Sequence, residues 1–216
     1  KLRTITKQIL VAAGADERNA SRVAEALVLS NLSGVDTHGV FHLPRYVKEI
    51  SEGMLVPTGW PEIVTETPNT ALVAGNWTFG HVVAKYAMQM AISKAKTQNV
   101  AIVSFVQSMH IGRVGEYAEM AVDNGMIALV WASGYGEEQP VAVPFGGRTP
   151  VMHTNPISIG VPTGEENPMV MDFATTTIAG SKVRIAKLKG EQVPLGSLVD
   201  AEGIPTTDPS GYPTGG

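Results

Sequence analysis

Two histidine-containing segments carry residue types that can move a proton. In "SGVDTHGVFHLPRY", Asp36 and Thr37 precede His38 and could orient its ring, while Arg45 and Tyr46 lie one or two helical turns further on. An arginine can pair with a carboxylate and a nearby histidine can shuttle a proton, so the segment has the residues of an acid–base site. An ordinary turn between two helices, with Asp36 as the capping residue, explains the same spacing equally well.

The same segment contains the spacing H-x-x-x-H, formed by His38 and His42. Zinc hydrolases use this spacing on a helix and place a glutamate directly after the first histidine as general base. Here Gly39 occupies that place, and no third ligand follows. The sequence therefore predicts no metal site.

The second segment is "HIGRVG", which begins at His110. It follows the apolar run "NVAIVSFV" and precedes a helical pattern, so His110 would stand where α/β enzymes place reactive groups, at the carboxyl end of a strand. Gly112 and Gly115 would let the backbone approach a ligand. The match to the dinucleotide-binding G-x-G-x-x-G is poor, because the first glycine is missing. A tight strand-to-helix turn with an exposed histidine is the alternative.

A third cluster joins "HTNPISIGVP" to "MVMDFATT". Thr154 and Asn155 form a turn between strands, and Asp172 ends an apolar strand before a helix whose first turn would be Thr175–Thr177. Backbone N–H groups and hydroxyls in that arrangement suit a phosphate or a ribose. An ordinary N-cap with a surface carboxylate is the alternative interpretation.

The elements that would position these residues change in character along the chain. "LRTITKQILVAAG", "ERNASRVAEALVLSNLSG" (capped by Asp16) and "HLPRYVKEISEG" have helical periodicity. After "MLVPTGWP", strands and helices alternate as β-α-β-α-β from about residue 71 to 132. The runs "NVAIVSFV" and "MIALVWAS" predict strands buried on both faces. "TTTIAGSKVRIAKLKG" predicts a helix that its threonines start and that Gly190 ends.

This order predicts an α/β fold in two parts. We expect a helical N-terminal segment over residues 1–60 and an α/β cofactor-binding domain over residues 61–216, with the boundary near residues 55–70.

The bulk composition excludes several classes of protein. The 216 residues carry a net charge of −4, with 44% hydrophobic and 17% charged residues, as in an ordinary globular chain. The basic residues are scattered, which argues against nucleic acid as a partner. There is no cysteine, so disulfides and thiolate sites are excluded and a cytoplasmic location is consistent. No signal peptide and no long apolar stretch is present, which argues against insertion in a membrane.

Taken together and in order, the motifs resemble the second, non-Rossmann malate/L-lactate dehydrogenase family. The matching stretches are "VDTHGVFHLPRYV", "HIGRVGEYAEMA", "VPFGG", "HTNPISIGVP", "MDFATT" with "GSKVRIA", and "DAEGIPTTDP". The family includes malate, sulfolactate and ureidoglycolate dehydrogenases, diketogulonate reductase and a reductase of cyclic imino acids. The resemblance implies a non-Rossmann mixed sheet with flanking helices, NAD or NADP as cofactor, and a cytoplasmic homodimer.

The resemblance also assigns residues. His38 matches the proton donor or acceptor proposed in some members, and His110 matches the histidine given that role in others. The dinucleotide contacts implied are Asp172, Phe173 and Ala174, with Ser133 as a further one; Thr154, Asn155 and Thr175 adjoin them.

The chain departs from the family in two ways. His42 stands where many members have an arginine that pairs with the substrate carboxylate, so His42 or Arg45 would take that role, with Tyr46 beside it. Members are also substantially longer, which suggests that the C-terminal part of the fold is missing.

The leading hypothesis is hydride transfer between a nicotinamide and a small 2-hydroxy or 2-oxo acid. One alternative is reduction of a cyclic imino acid. Another is a truncated, non-catalytic remnant that only dimerises.

Overall fold

Three helices form the N-terminal part of the chain in a computed structural model that describes residues 1–134, 140–165 and 167–212. They are α1 (Leu2–Ala12), α2 (Glu17–Leu32) and α3 (Leu43–Ser51). The side chain of Asp16 accepts a hydrogen bond of 2.7 Å from the backbone N–H of Asn19, so the predicted N-cap is confirmed. The helices bury one apolar core, to which Leu10, Val23, Leu27 and Tyr46 contribute.

Two short 3₁₀ turns, Asp36–His38 and Val40–His42, connect α2 to α3. The amide of Asn31 holds both turns: its Nδ2 donates to Asp36 Oδ1 over 2.6 Å and its Oδ1 accepts from the backbone N–H of Val40 over 3.0 Å. A Cβ at Gly39 would overlap this amide, which explains the glycine between the two turns.

The first sheet contains β1 (Glu62–Glu66), β2 (Thr70–Ala74) and β3 (Ile102–Val106), in that order. β1 pairs antiparallel with β2, and β2 pairs parallel with β3 across the crossover helix α4 (Gly80–Gln98). The sheet is therefore mixed, as predicted. Helix α5 (Gly115–Val122) follows β3 after an eight-residue loop.

The second sheet has the order β4 (Ala128–Trp131), β5 (Pro156–Val161) and β6 (Met169–Ala174). Helix α6 (Gly180–Lys189) follows and ends at Gly190, whose left-handed φ of 69° confirms the predicted C-cap. The strands β7 (Leu198–Val199) and β8 (Pro205–Thr206) form a small antiparallel pair. The predicted α/β class with N-terminal helices is confirmed, although the strands form several small sheets.

Two local predictions were wrong. The strands β3 and β4 are not buried on both faces, since Ile102 is 59% and Trp131 is 66% exposed. Helix α6 begins at Gly180 and not at the threonines. The hydroxyl of Thr176 donates a hydrogen bond of 3.0 Å to the backbone carbonyl of Ile178, which holds the chain in a local bend before the helix. In addition, β-branched residues such as threonine are weak helix formers.

The chain divides into two compact units. Unit 1 comprises residues 1–128 and 160–170, and unit 2 comprises residues 129–159 and 171–216. The division expected near residues 55–70, between a helical segment over residues 1–60 and an α/β cofactor-binding domain over residues 61–216, stays a prediction. Among the described residues, no helix combines the length and the apolar character that a membrane span requires.

Candidate active site

Unit 1 brings four of the five histidines together. The ring of His110 lies 4.5 Å from that of His42, 6.0 Å from that of His38 and 6.1 Å from that of His81, measured between centroids. His38 and His42 end the two 3₁₀ turns, His81 lies in the first turn of α4, and His110 lies in the loop after β3. Three predicted site residues, from segments about seventy positions apart, thus form one cluster.

The loop that carries His110 is fixed to the start of α4 and to α5. The backbone N–H of Met109 donates to the carbonyl of Thr78 over 3.2 Å, and the hydroxyl of Tyr117 donates to the carbonyl of Ile111. A Cβ at Gly80 would overlap the backbone carbonyls of Met109 and His110. The loop therefore holds His110 in one place before any ligand arrives.

Tyr46 connects α3 to the cluster. Its ring is 1% exposed and stacks on His42 at 5.9 Å with an interplanar angle of 13°, while its hydroxyl lies 2.7 Å from Nδ1 of His110. Burial raises the pKa of the Tyr46 phenol well above its ordinary value, so the group stays protonated. The residue predicted beside the substrate carboxylate thus makes its hydrogen bond to His110.

The environment of His110 keeps its imidazole neutral at pH 7. Burial lowers the pKa of His110 well below its ordinary value, and the nearby His42, His81, Arg45 and His38 lower it further. Although four histidines meet here, the described residues contain no group of three or more His, Asp or Glu arranged to hold a metal ion.

The side chains of Arg45 and His38 each contact a polar side chain outside the histidine cluster. Arg45 Nε donates to Glu49 Oε1 over 2.6 Å, an i,i+4 ion pair along α3 whose Glu49 side chain is buried. Thr37 Oγ1 lies 3.1 Å from His38 Nδ1, whereas Asp36 bonds to the amide of Asn31. Thr37 therefore orients the His38 ring, and the role expected of Arg45 toward a substrate carboxylate stays a prediction.

His81 is the member of the cluster to which sequence reasoning assigned no role. It is 1% exposed, and neither ring nitrogen has a hydrogen-bond partner among the described residues. Burial lowers the pKa of His81 well below its ordinary value, and the charge of Arg22 and the rings of His42 and His38 add to this. A histidine in the first turn of a largely apolar helix was the available signal.

Two features hold His81 in place. Arg22 Nε donates to the backbone carbonyl of His81 over 3.0 Å, and Arg22 Nη1 forms a buried ion pair of 2.5 Å with Glu116 of α5. Gly112, with φ of +75°, faces the ring, and a Cβ there would overlap His81 Nε2. The space that Gly112 leaves is thus occupied by His81.

Unit 2 gathers the predicted cofactor residues at neighbouring strand ends. β4 ends two residues before Ser133, β5 begins directly after Asn155, and β6 ends directly before Thr175. The backbone N–H of Gly134 donates to the carbonyl of Thr154 over 3.2 Å, and the hydroxyl of Thr175 donates to Oδ1 of Asn155. Asp172 and Phe173 are exposed near the end of β6, and Ala174 is half-buried.

The sequence matches the family model described as malate/L-lactate dehydrogenase over residues 1–216. It is 41% identical over 205 residues to L-sulfolactate dehydrogenase of Methanothermobacter thermautotrophicus, covering 95% of this chain and 59% of that protein. Hydroxycarboxylate dehydrogenase B of Escherichia coli K12 is 37% identical, with 91% and 54% covered. The chain therefore spans little more than half the length of these curated relatives.

Solved structures agree over nearly the whole chain. A putative malate/lactate dehydrogenase from E. coli superposes with a TM-score of 0.91 at 34% identity, covering 97% of this chain and 58% of that one. The Δ1-piperideine-2-carboxylate reductase from Pseudomonas syringae pvar. tomato superposes with a TM-score of 0.89 at 29% identity, covering 96% and 61%.

Proposed function

The chain belongs to the malate/L-lactate dehydrogenase family. We propose that it forms part of a NAD(P)-dependent oxidoreductase that interconverts a small 2-hydroxy acid and the corresponding 2-oxo acid. The observation that carries this proposal is the close group formed by His38, His42 and His110, backed by the Tyr46 hydroxyl. Names of the relatives support the reaction class, since they include L-sulfolactate dehydrogenase and hydroxycarboxylate dehydrogenase.

The residues of unit 2 suit a dinucleotide chemically. Ser133, Thr154, Asn155 and Thr175 offer hydroxyl and amide groups that both donate and accept, as ribose hydroxyls and phosphate oxygens require, and Asp172 offers a carboxylate acceptor. We propose that these residues, together with Phe173 and Ala174, bind the NAD or NADP. The chemistry supplied by the bound cofactor is hydride exchange with the α-carbon of the substrate.

The protein has two remaining tasks in the reduction, namely to hold the substrate carboxylate and to manage the proton of the new hydroxyl. We propose that His42 and Arg45 bind the substrate carboxylate. His42 is buried against His110, and Arg45 also forms an ion pair with Glu49. His38 and His110 are the groups that act on the substrate oxygen.

A cyclic imino acid is the second candidate substrate, favoured by the similarity to the Δ1-piperideine-2-carboxylate reductase. A 2-oxo acid and a cyclic imino acid share the carboxylate beside a polar double bond. The two reactions differ in whether oxygen or nitrogen receives the proton, so the same histidines could serve either one.

The test is oxidation of NADH and NADPH by the full-length protein with pyruvate, oxaloacetate, sulfopyruvate and a cyclic imine. We expect turnover of at least one 2-oxo acid, with a fall in kcat of roughly 10²- to 10⁴-fold in His38→Ala and in His110→Ala. The affinity for NADH, measured by fluorescence, should hardly change. Turnover of the cyclic imine alone would support the second candidate. Failure to bind either cofactor would support a non-catalytic dimerising chain, which size-exclusion chromatography with light scattering would detect.

A further inference from the structure

In the hydrogen bond between Tyr46 and His110, burial of the phenol decides which group is the donor. The Tyr46 hydroxyl is buried and, within the described ranges, bonds only to Nδ1 of His110, at 2.7 Å. If Nδ1 carried a hydrogen, the phenol oxygen would accept it and the phenol O–H would be left without an acceptor. A buried donor without an acceptor is costly, so the phenol donates and Nδ1 accepts.

Among the described residues, the Tyr46 hydroxyl forms no hydrogen bond to an acceptor other than His110. The ring of His81 stands edge-on to Tyr46 at 5.7 Å and to His110 at 6.1 Å, yet its two nitrogens form no hydrogen bond within the part of the chain that the structure describes. The phenol is therefore committed to His110.

We propose that Tyr46 is a positioning residue that holds His110 as the neutral tautomer with its hydrogen on Nε2. His110 then acts on the substrate oxygen as a hydrogen-bond donor, and His38 delivers the proton. This inference rests on the proposed function and deepens it, because it divides the work between the two histidines.

The charges around His110 agree with a neutral ring. Within the described ranges, the groups that face it are His38 and His42 from the 3₁₀ turns, Arg45 and Tyr46 from α3, and His81 from α4. Among these described residues there is no carboxylate that would stabilise an imidazolium, and a hydrogen on Nδ1 would leave the buried phenol O–H without an acceptor. Neutral histidines of this kind stabilise developing oxyanions in other enzymes.

Atoms and electrons balance in the proposed reduction. The substrate α-carbon gains a hydride with its electron pair, the C=O π bond breaks, and the oxygen takes one proton from the imidazolium of His38. His110 keeps its Nε2 hydrogen throughout and stabilises the negative charge that builds on the oxygen. His38 then regains a proton from solvent, which its partial exposure permits.

The direct test is ¹⁵N NMR of the histidine rings in full-length protein labelled at histidine. The wild-type spectrum should show Nδ1 of His110 without a hydrogen and Nε2 with one, with no need for substrate. Tyr46→Phe should lose this pattern and give a mixture of tautomers. Tyr86→Phe, on α4 and packed against Trp60, is the matched control and should leave the pattern intact. A hydrogen on Nδ1 in the wild type would overturn the proposal even if the variant fails to fold.

Kinetics supply the second readout. Tyr46→Phe should lower kcat by about fivefold to tenfold, the size expected for one lost hydrogen bond to a group that acts in the transition state, with KM for the nicotinamide unchanged. The limb of the kcat–pH profile due to the proton donor should persist in Tyr46→Phe and disappear in His38→Ala. Its loss in Tyr46→Phe would overturn the proposal. Lack of turnover on every substrate would sink the proposed function, whereas the wild-type NMR spectrum would still decide the tautomer.

Discussion

Replacing Gly112 with alanine should destabilise the protein through two separable effects. Gly112 has φ of +75°, a backbone conformation that L-residues adopt at a cost of about 1–2 kcal/mol. The added Cβ would also overlap Nε2 of His81, whose ring is 1% exposed and enclosed by Tyr46 and His110. Overpacking of this kind costs about 1–3 kcal/mol.

The two effects sum to a loss of roughly 2–5 kcal/mol in the free energy of unfolding. Gly125→Ala isolates the first effect, because Gly125 has φ of +72° and nothing within 4 Å of its built Cβ. We expect this control to lose only about 1–2 kcal/mol. Introducing Gly112→Ala into a His81→Ala background should likewise show only the backbone effect, since the ring that blocks the Cβ is gone.

The assay is urea unfolding followed by far-ultraviolet circular dichroism on all five proteins, with unfolding slopes compared for consistency. The two substitutions should couple by about 1–3 kcal/mol in a double-mutant cycle. If Gly112→Ala costs no more stability than Gly125→Ala, or if the cycle is additive, the ring of His81 is not the reason why position 112 requires glycine.

Three further predictions concern charge. Arg22→Met should lower the free energy of unfolding by about 3–5 kcal/mol because it leaves Glu116 buried and unpaired, whereas replacing both partners with apolar residues should cost far less in the same urea assay. The pKa values of His81 and His110 are lowered in the folded state, so below about pH 6.5 these two rings take up protons only in the unfolded chain. The free energy of unfolding should therefore fall as the pH falls through this range, by up to about 1.4 kcal/mol per pH unit for each ring. A free energy of unfolding that stays constant there would refute this prediction. His42→Arg should lower KM for the 2-oxo acid, since a guanidinium is always charged and pairs with a carboxylate through two hydrogen bonds, and an unchanged KM would count against His42 as the carboxylate contact.

Sequence patterns predicted the elements whose causes are local. The Asp16 cap depends on a backbone N–H three residues away, and the end of α6 depends on the conformational freedom of Gly190. Burial was predicted less well, because the exposure of Ile102 and Trp131 depends on what packs over each sheet and not on the apolar run itself.

The candidate site shows the same division. His38, His42 and His110 were named from their neighbours in the sequence, and the structure brings them together. His81 gave little local signal, because its importance arises from contact with Gly112, 31 positions further on. The bond between Tyr46 and His110 spans 64 positions, and no spacing rule could have predicted which atom of His110 it would reach.

The amide of Asn31 has a consequence for the proposed substrate site. By bonding to both 3₁₀ turns at once, it couples the segment that carries His38 and His42 to the last turn of α2. The conformational entropy of this segment is therefore lost during folding and not when the ligand arrives. Preorganisation of this kind leaves more of the intrinsic binding energy for the transition state, and a looser linkage at Asn31 would weaken the proposed catalysis without changing any histidine.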